Sequence, residues 1–185
     1  MSGVSTCALL LSSSCNVCAR THCPLAKKLL WGKGESEVPF FWTDPDTGER
    51  CKIKLDRLVK YNRKWYVVDY KTCASAETFR FNSEIFKLGY YFQAGMYCEG
   101  VKIAKKLKKL PGFLFVAQEK KPPYSVNVIE VSEEVMGAGI AKFHQLMDKY
   151  HTCKVLDKWP GYVDDIPNDS FVPTWAEREM EDEFE

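Results

Sequence analysis

The sequence predicts one α/β domain built from a mixed β-sheet flanked by helices. Its 185 residues suit a single domain, and 45% hydrophobic with 28% charged residues is typical of a globular chain. Segments that alternate apolar and polar residues are interspersed with segments of helical periodicity, as in α/β proteins. No apolar run approaches the ~20 residues that a membrane-spanning helix requires, so we expect no membrane partner.

The first half of the chain predicts one short helix followed by three strands. Residues 24–31 form the helix, which ends at Gly32 and Gly34. Residues 38–42 form a strand, and the residues after it are typical of a turn. Two further strands, 51–60 and 65–71, form a hairpin.

The second half predicts two helical regions separated by a strand pair. Helical spacing begins near residues 76–86 and continues through 90–110, where Pro111 and Gly112 end it. Residues 113–117 and 124–131 form strands that pair with each other. Ser132 is the expected N-cap of a long final helix, because a hydroxyl followed by two acids favours a helix start.

The two strands of the predicted hairpin contain two aspartates and a lysine that call for an explanation. If Asn62 and Arg63 form its turn, paired residue numbers sum to 125 and Asp56 lies opposite Asp69, with Lys71 two residues further on the same face. Facing carboxylates destabilise a strand pair, by roughly 4 kcal/mol of gross repulsion at ~4 Å and an effective dielectric of about 20. A divalent cation bound between the two carboxylates turns this repulsion into a net attraction, and oxygen ligands suit Mg²⁺ or Mn²⁺.

Ordinary salt bridges explain the same residues equally well. Asp56 would then pair with Lys54 or Arg57, and Asp69 with Lys71. The spacing by itself does not distinguish a metal site from these ion pairs.

The ordered acids resemble the D…(D/E)-x-K signature of the restriction-endonuclease-like, or PD-(D/E)XK, nuclease superfamily. Asp56 and the tripeptide 69–71 match the signature, and Glu37 matches the acidic residue that begins the motif set. Gln93 and Tyr97, one helical turn apart, match the Q-x3-Y box of the RecB-like branch. The ordered set is far more specific than a D-x-K tripeptide, which is common by chance.

Further stretches resemble the RecE-like phage exonucleases: 41–42, 48–52, 55–58, 68–72, 93–94, 159–160 and 173–176. We therefore expect the nuclease domain over 24–178, between an unmatched Cys- and Ser-rich segment at 1–23 and an acidic tail at 179–185. The family carries a longer N-terminal portion that 1–23 does not match. The comparison thus predicts a truncated domain or a divergent short form.

The resemblance implies an activity, a metal site and partners. It implies a Mg²⁺-dependent exonuclease, with Mn²⁺ able to substitute, acting 5′→3′ at double-stranded DNA ends in phage-type recombination or repair. Glu37, Asp56, Asp69 and the carbonyl of Tyr70 would hold the metal, Lys71 would orient the water, and Gln93 and Tyr97 would support the site. It also implies a homo-oligomeric ring and a RecT-like single-strand annealing partner.

The near-neutral net charge of +1 conceals a segregation of charge. Residues 157–185 hold ten acids and two bases, a net −8, so residues 1–156 carry +9. A basic body suits a nucleic-acid partner. The candidate DNA contacts are Arg80 and a lysine cluster expected on the helix that follows Gln93: Lys102, Lys105, Lys106, Lys108 and Lys109. Lysines near a helix end also serve solubility and complement the helix dipole.

Two alternatives stay open at the level of sequence. The chain is a non-catalytic DNA-binding or assembly module if the short N-terminal portion disables cleavage. Alternatively, Cys15, Cys18 and Cys23 bind an iron–sulfur cluster or zinc, although ordinary free thiols explain them as well. No basic export signal precedes the apolar stretch near the N-terminus, so we expect a cytoplasmic protein with reduced thiols. The chain has no P-loop motif, which excludes an ATP-driven helicase within it.

Overall fold

The computed structural model describes residues 23–161 and Ser170. Its elements, in chain order, are α1 (Pro24–Trp31), β1 (Gly34–Thr43), β2 (Arg50–Tyr61), β3 (Lys64–Cys73), α2 (Thr78–Lys87), α3 (Tyr90–Ala104), β4 (Gly112–Glu119), β5 (Val126–Glu130) and α4 (Glu133–Leu156). The described residues up to His151 belong to one compact unit, and a second begins at Thr152. The described part of the second unit is the end of α4, the segment to Gly161, and Ser170.

The described strands form one mixed sheet in the order β1-β2-β3-β4-β5. All neighbouring strands are antiparallel except β3 and β4, which are parallel. Parallel neighbours need a crossover, and α2 and α3 supply it. The predicted α/β class, a mixed sheet flanked by helices, is confirmed.

Apolar side chains cover both faces of the sheet. On one face the core includes Phe81 and Ile85 of α2, Val101 of α3 and Phe143 of α4. On the other face a smaller cluster packs Ala26 and Leu29 of α1 against β2, β3 and β4. The buried Arg57 ties α1 to the sheet, since its Nε donates to the Leu29 carbonyl at 2.6 Å and its terminal nitrogen donates to the Gly32 carbonyl. These carbonyls lie at the C-terminal end of α1, where a cation is favourable.

The β2–β3 hairpin has the register that the sequence predicts. Asn62 and Arg63 both have positive φ, +47° and +64°, as a type I′ turn requires. The ladder runs from Tyr61 opposite Lys64 to Arg57 opposite Val68, so each pair of residue numbers sums to 125. A local turn preference therefore determines which residues of the two strands face each other.

The helical region after Gln93 is shorter than the sequence predicts. Helix α3 ends at Ala104 rather than near residue 110, and the following Lys106 has φ of +53°. The helical periodicity is also interrupted earlier, because Gly89 has φ of +71° and separates α2 from α3. Lys106, Lys108 and Lys109 consequently lie in the connection to β4, which corrects the expectation that the lysine cluster is helical.

Helix α4 begins where expected and packs closely on α3. The Ser132 hydroxyl accepts from the Val135 backbone N–H at 3.3 Å, which confirms the predicted cap. A Cβ placed on Gly139 would lie 2.0 Å from the Tyr91 carbonyl oxygen, so the two helix backbones are in contact. Among the described residues, no helix, α4 included, is long and apolar enough to cross a bilayer.

Candidate active site

Three predicted acids occupy one row across neighbouring strands. Glu37 and Asp56 lie between the paired positions Ser36–Arg57 and Val38–Leu55 of the β1–β2 ladder, and Asp56 and Asp69 directly follow the last pair of the β2–β3 ladder, Arg57–Val68. Neither ladder pairs these acids with each other, and Glu37 has φ of +55°, an uncommon backbone conformation for this residue type. Strained positions of this kind cluster at functional sites.

The alternation of side chains along β2 shifts by one residue at this row. Leu55 and Leu58, three residues apart, both belong to the larger core cluster, whereas Val59 belongs to the smaller one. A regular strand would send Leu55 and Leu58 to opposite faces. At this break the Asp56 Oδ2 accepts the Tyr70 backbone N–H at 3.1 Å.

Asp69 is the most buried of the three acids. Its side chain is 4% exposed and contacts Gln93 of α3. Gln93 Nε2 donates to its Oδ1 at 2.6 Å, and Lys71 Nζ lies 2.7 Å from its Oδ2. Burial raises the pKa of Asp69 above its ordinary value; the nearby Lys71 opposes the rise and the charge of Asp56 adds to it. The Asp69 carboxylate is thus a costly charge held in place by two polar neighbours.

Lys71 and Tyr97 complete the group around Asp69. The Lys71 side chain is 22% exposed, and its ammonium lies 4.8 Å from the centre of the Tyr90 ring, a cation–π contact that directs it. Tyr97 is half-buried; burial and the charge of Asp69 raise its pKa, while a hydrogen bond with Gln93 lowers it. The structure therefore brings together five of the predicted residues: Asp56, Asp69, Lys71, Gln93 and Tyr97.

Glu37 is not part of that group, because its carboxylate is paired with Lys54. Its carboxylate forms an ion pair with Lys54, whose side chain is 62% exposed. Among residues 23–161 and Ser170, no three His, Cys, Asp or Glu side chains converge as ligands of one metal ion. Of the ion pairs considered in the sequence analysis, the structure contains the one between Asp69 and Lys71, whereas Arg57 binds the α1 carbonyls and Lys54 binds Glu37.

The remaining donor set fits a small, hard cation. Asp56 and Asp69 offer carboxylate oxygens in one row, and the buried Oδ2 of Asp69 receives no well-directed hydrogen bond within the described part of the chain, although Lys71 is close. Oxygen-only donors of this type suit Mg²⁺ or Mn²⁺. Asp56, Asp69 and the Tyr70 carbonyl would hold such an ion, and Glu37 would join them by leaving Lys54.

The predicted DNA contacts lie in different surroundings. Lys102, Lys106, Lys108 and Lys109 are exposed, and Arg80 is exposed in the first turn of α2 beside Phe79. Lys105 is half-buried, 5.2 Å from the Trp65 ring centre and 3.7 Å from a Glu35 oxygen, so it contributes to packing at the end of α3. Cys15 and Cys18 lie outside the described residues, and Cys23 is a free thiol just before α1.

Sequence reasoning missed the partners that orient the site. The ion pair of Glu37 with Lys54 and the Tyr90 ring beside Lys71 had no signal in the motif. A cross-strand register for β1 and β2 would have placed Glu37 opposite Asp56, but no turn of defined type fixes that register in the sequence.

The fold and the Asp56, Asp69, Lys71 arrangement define a domain of the PD-(D/E)XK superfamily. The chain belongs to the family described as "PDDEXK-like domain of unknown function (DUF3799)", whose model matches residues 16–167. That match establishes the superfamily and does not single out the RecE-like branch.

One solved structure shares the fold over most of this chain. It is a "Putative exonuclease" from Eubacterium rectale, with a TM-score of 0.56 and 18% identity, covering 80% of this chain and 57% of that one. The chain therefore spans little more than half of that protein. A second structure, SSO0001, has a TM-score of 0.38 and 15% identity over 76% of this chain and 67% of the other, and carries no argument. No curated protein matches the chain.

Proposed function

We propose that the chain is a metal-dependent nuclease that hydrolyses phosphodiester bonds in DNA. The observation that carries the proposal is the convergence of Asp69 and Lys71 of the central strand β3 with Gln93 of α3, with Asp56 in the adjacent strand β2. A buried carboxylate beside a second carboxylate opposes folding, and such an arrangement is typical of a functional site. Family membership supports the same reading.

The two aspartates, Gln93 and Lys71 have different roles in the proposed hydrolysis. Bound Mg²⁺ would offset the repulsion between Asp56 and Asp69 and stabilise charge that develops on the phosphate. Gln93 holds the Asp69 carboxylate in one orientation through its 2.6 Å hydrogen bond. Lys71 presents a partly exposed ammonium next to that carboxylate, from which it orients the attacking water and stabilises negative charge.

We further propose that the enzyme is an exonuclease of the RecE-like type. It acts 5′→3′ at double-stranded DNA ends with Mg²⁺ or Mn²⁺, in the cytoplasm, during phage-type recombination or repair. The sequence stretches shared with that group support this, as does the name of the Eubacterium rectale neighbour. A homo-oligomeric ring and a RecT-like annealing partner belong to the same proposal.

A non-catalytic DNA-binding module is the second candidate. The observation in its favour is the ion pair of Glu37 with Lys54, which occupies one of the three acids expected to bind the metal. In that case the chain binds DNA ends and leaves them intact.

Incubation with labelled DNA separates the two candidates. We expect the protein to release acid-soluble nucleotides from linear duplex with Mg²⁺ and to leave closed circular DNA intact. Asp69→Asn and Lys71→Ala should each lower the rate by roughly 10²–10⁴-fold because each removes a group at the reacting phosphate. Duplexes labelled at the 5′ or the 3′ end report the polarity.

A lysine outside the site provides the control. Lys142 lies on α4, where its ammonium donates to Gln145, and Lys142→Ala should cleave like the parent protein. If the parent protein releases nothing with Mg²⁺ or Mn²⁺ yet binds the duplex, the non-catalytic candidate is correct. If Asp69→Asn or Lys71→Ala keeps full activity, the active site lies elsewhere.

A further inference from the structure

A groove of about 520 Å³ opens beside the candidate active site, between β1, β2 and α3. Its lining combines apolar, aromatic and basic side chains with one neutral amide, Gln93: Pro39, Phe41, Lys52, Ile53, Lys54, Phe92, Gln93, Met96 and Tyr97. The volume lies within the roughly 300–1,000 Å³ of small-ligand clefts. A groove of this size suits one or two nucleotides of a single strand and is too small for a duplex.

Phe41 is the least expected residue of the groove. It lies on β1 and is 67% exposed, although a large aromatic ring normally gains from burial. Met96 and Phe92, both half-buried, line the same groove from α3. An exposed ring facing an apolar wall is the arrangement on which nucleic-acid bases stack in single-strand binding proteins.

Two lysines give the groove the charge that a phosphate backbone requires. Lys52 is paired with Phe41 across the β1–β2 ladder, and Lys54 is paired with Pro39. Lys54 also forms an ion pair with Glu37, so it joins the groove to the row of acids. Basic side chains next to a stacking ring distinguish a nucleic-acid groove from a purely apolar docking site.

The groove is continuous with the candidate active site. Gln93 lines the groove and donates to Asp69, and Tyr97 lines it one helical turn further along α3. A strand lying in the groove would thus lead directly to the buried carboxylate.

We propose that this groove binds the single strand of DNA that leads to the cleaved bond, with a base stacked on Phe41 and backbone phosphates on Lys52 and Lys54. The inference rests on the proposed nuclease function, from which the choice of DNA follows. Phe41 is a binding residue here, and it does not take part in the chemical step.

Fluorescence anisotropy of a labelled oligo-dT tests the groove. Binding is measured with EDTA, so that no cleavage occurs, on the parent protein and on the Phe41 and Lys52 variants. Phe41→Ala should weaken binding about tenfold, as expected for loss of one stacked base, and Phe41→Tyr should restore it. Lys52→Gln should weaken binding and lower the slope of log K against log salt by about 0.7, the value for one single-strand phosphate contact.

A second measurement detects the stacking itself. An oligonucleotide that carries 2-aminopurine should lose fluorescence on binding the parent protein, and this quenching should be absent with Phe41→Ala. Phe86→Ala is the matched control, because Phe86 is 54% exposed on α2 and does not line the groove. Circular dichroism melts confirm that each variant is folded.

The outcomes distinguish a wrong groove assignment from a wrong nuclease function. If the parent protein cleaves DNA but Phe41→Ala and Lys52→Gln bind oligo-dT normally, the groove assignment is wrong and the nuclease stands. If binding depends on Phe41 and no cleavage occurs with Mg²⁺ or Mn²⁺, the groove binds single-stranded DNA as proposed but leads to no cleaved bond, and the nuclease function is wrong. Tighter binding of oligo-rU than of oligo-dT would overturn the assignment to DNA.

Discussion

At the scale of single residues, the site is built around a carboxylate that the fold disfavours. Asp69 is 3% exposed and interrupts an apolar strand, with a second acid in the neighbouring strand. Gln93 and Lys71 reduce the cost of that placement, yet burial outweighs them, since the pKa of Asp69 remains raised. Function-related residues often lower the stability of a protein in this way.

Replacing this acid should therefore stabilise the protein. A raised pKa means that ionising Asp69 costs more in the folded than in the unfolded state, so stability falls as pH rises through the folded-state pKa. Asp69→Asn removes that cost and should increase the free energy of unfolding by about 1 kcal/mol at pH 7. Thermal melts at several pH values measure the difference between the two proteins.

The pH dependence of that difference is the decisive part. It should shrink as the pH falls and disappear below the ordinary Asp value of 3.8, where Asp69 is protonated in both the folded and the unfolded parent protein. A variant that is less stable than the parent at pH 7 would show that the ion pair with Lys71 outweighs burial.

Metal binding should compete with the ion pair of Glu37 and Lys54. Because a ligand that binds only the folded state raises the melting temperature, Mg²⁺ should stabilise the parent protein and have no effect on Asp56→Asn. Lys54→Gln frees the Glu37 carboxylate, so half of the maximal stabilisation should occur at a lower Mg²⁺ concentration. Differential scanning fluorimetry across a Mg²⁺ titration measures both effects, and Lys142→Gln, on α4, serves as the control. An unchanged Lys54→Gln titration would show that Glu37 is not a ligand.

At the scale of elements, close contact between helices α3 and α4 positions Gln93. Gly95 of α3 and Gly139 of α4 touch, since a Cβ on Gly95 would lie 2.3 Å from the Gly139 carbonyl carbon. Trp42 and Phe143 pack nearby with ring centres 6.3 Å apart. His144 and His151 of α4 add polar contacts, to Glu99 at 3.1 Å and Glu49 at 3.0 Å. Helix α3, which carries Gln93 and Tyr97, is thus packed directly against α4.

Two glycines on α4 allow a matched test of this contact. Gly139→Ala should destabilise the protein by about 1–3 kcal/mol, because the added methyl group overlaps the Tyr91 carbonyl. Gly137→Ala has open space around its Cβ and should stabilise the helix by roughly 0.5–1 kcal/mol. Urea unfolding of both variants gives the two changes. Equal effects of the same sign would refute a backbone contact between the helices.

At the scale of the whole molecule, charge is separated along the chain. Residues 1–156 carry +9 and residues 157–185 carry −8, as the sequence shows. Exposed lysines follow α3 in the connection to β4, whereas Lys105 is engaged with Trp65 and Glu35. The exposed members of the cluster are the candidates for phosphate contacts.

Removing two of these lysines should weaken DNA binding in a salt-dependent manner. A Lys106→Gln and Lys109→Gln double variant should lower the slope of log K against log salt by about 1.8 if both contact duplex phosphates. Lys142→Gln with Lys149→Gln, on α4, changes the net charge equally and should leave the slope unchanged. Anisotropy titrations with a labelled duplex at several salt concentrations give both slopes. Equal losses in the two double variants would indicate a general charge effect.

The sequence by itself determined the fold class, the hairpin register and the candidate residues. Alternation, turn preference and helix caps act over a few residues, which is why the I′ turn at Asn62 and Arg63 and the cap at Ser132 were predictable. The motif then pointed to Asp56, Asp69 and Lys71. The end of the second helical region was misjudged, because the apolar residues after Ala104 continue to pack without continuing the helix.

The tertiary structure alone decided which of these residues meet. Gln93 reaches Asp69 across 24 residues of chain, Glu37 is paired with Lys54, and Phe41 faces a groove formed with α3. These contacts depend on how helices cross the sheet and on a backbone break at Glu37 and Asp56, neither of which a local pattern specifies. Local preferences set which residues are available, and the packing of distant segments sets their partners.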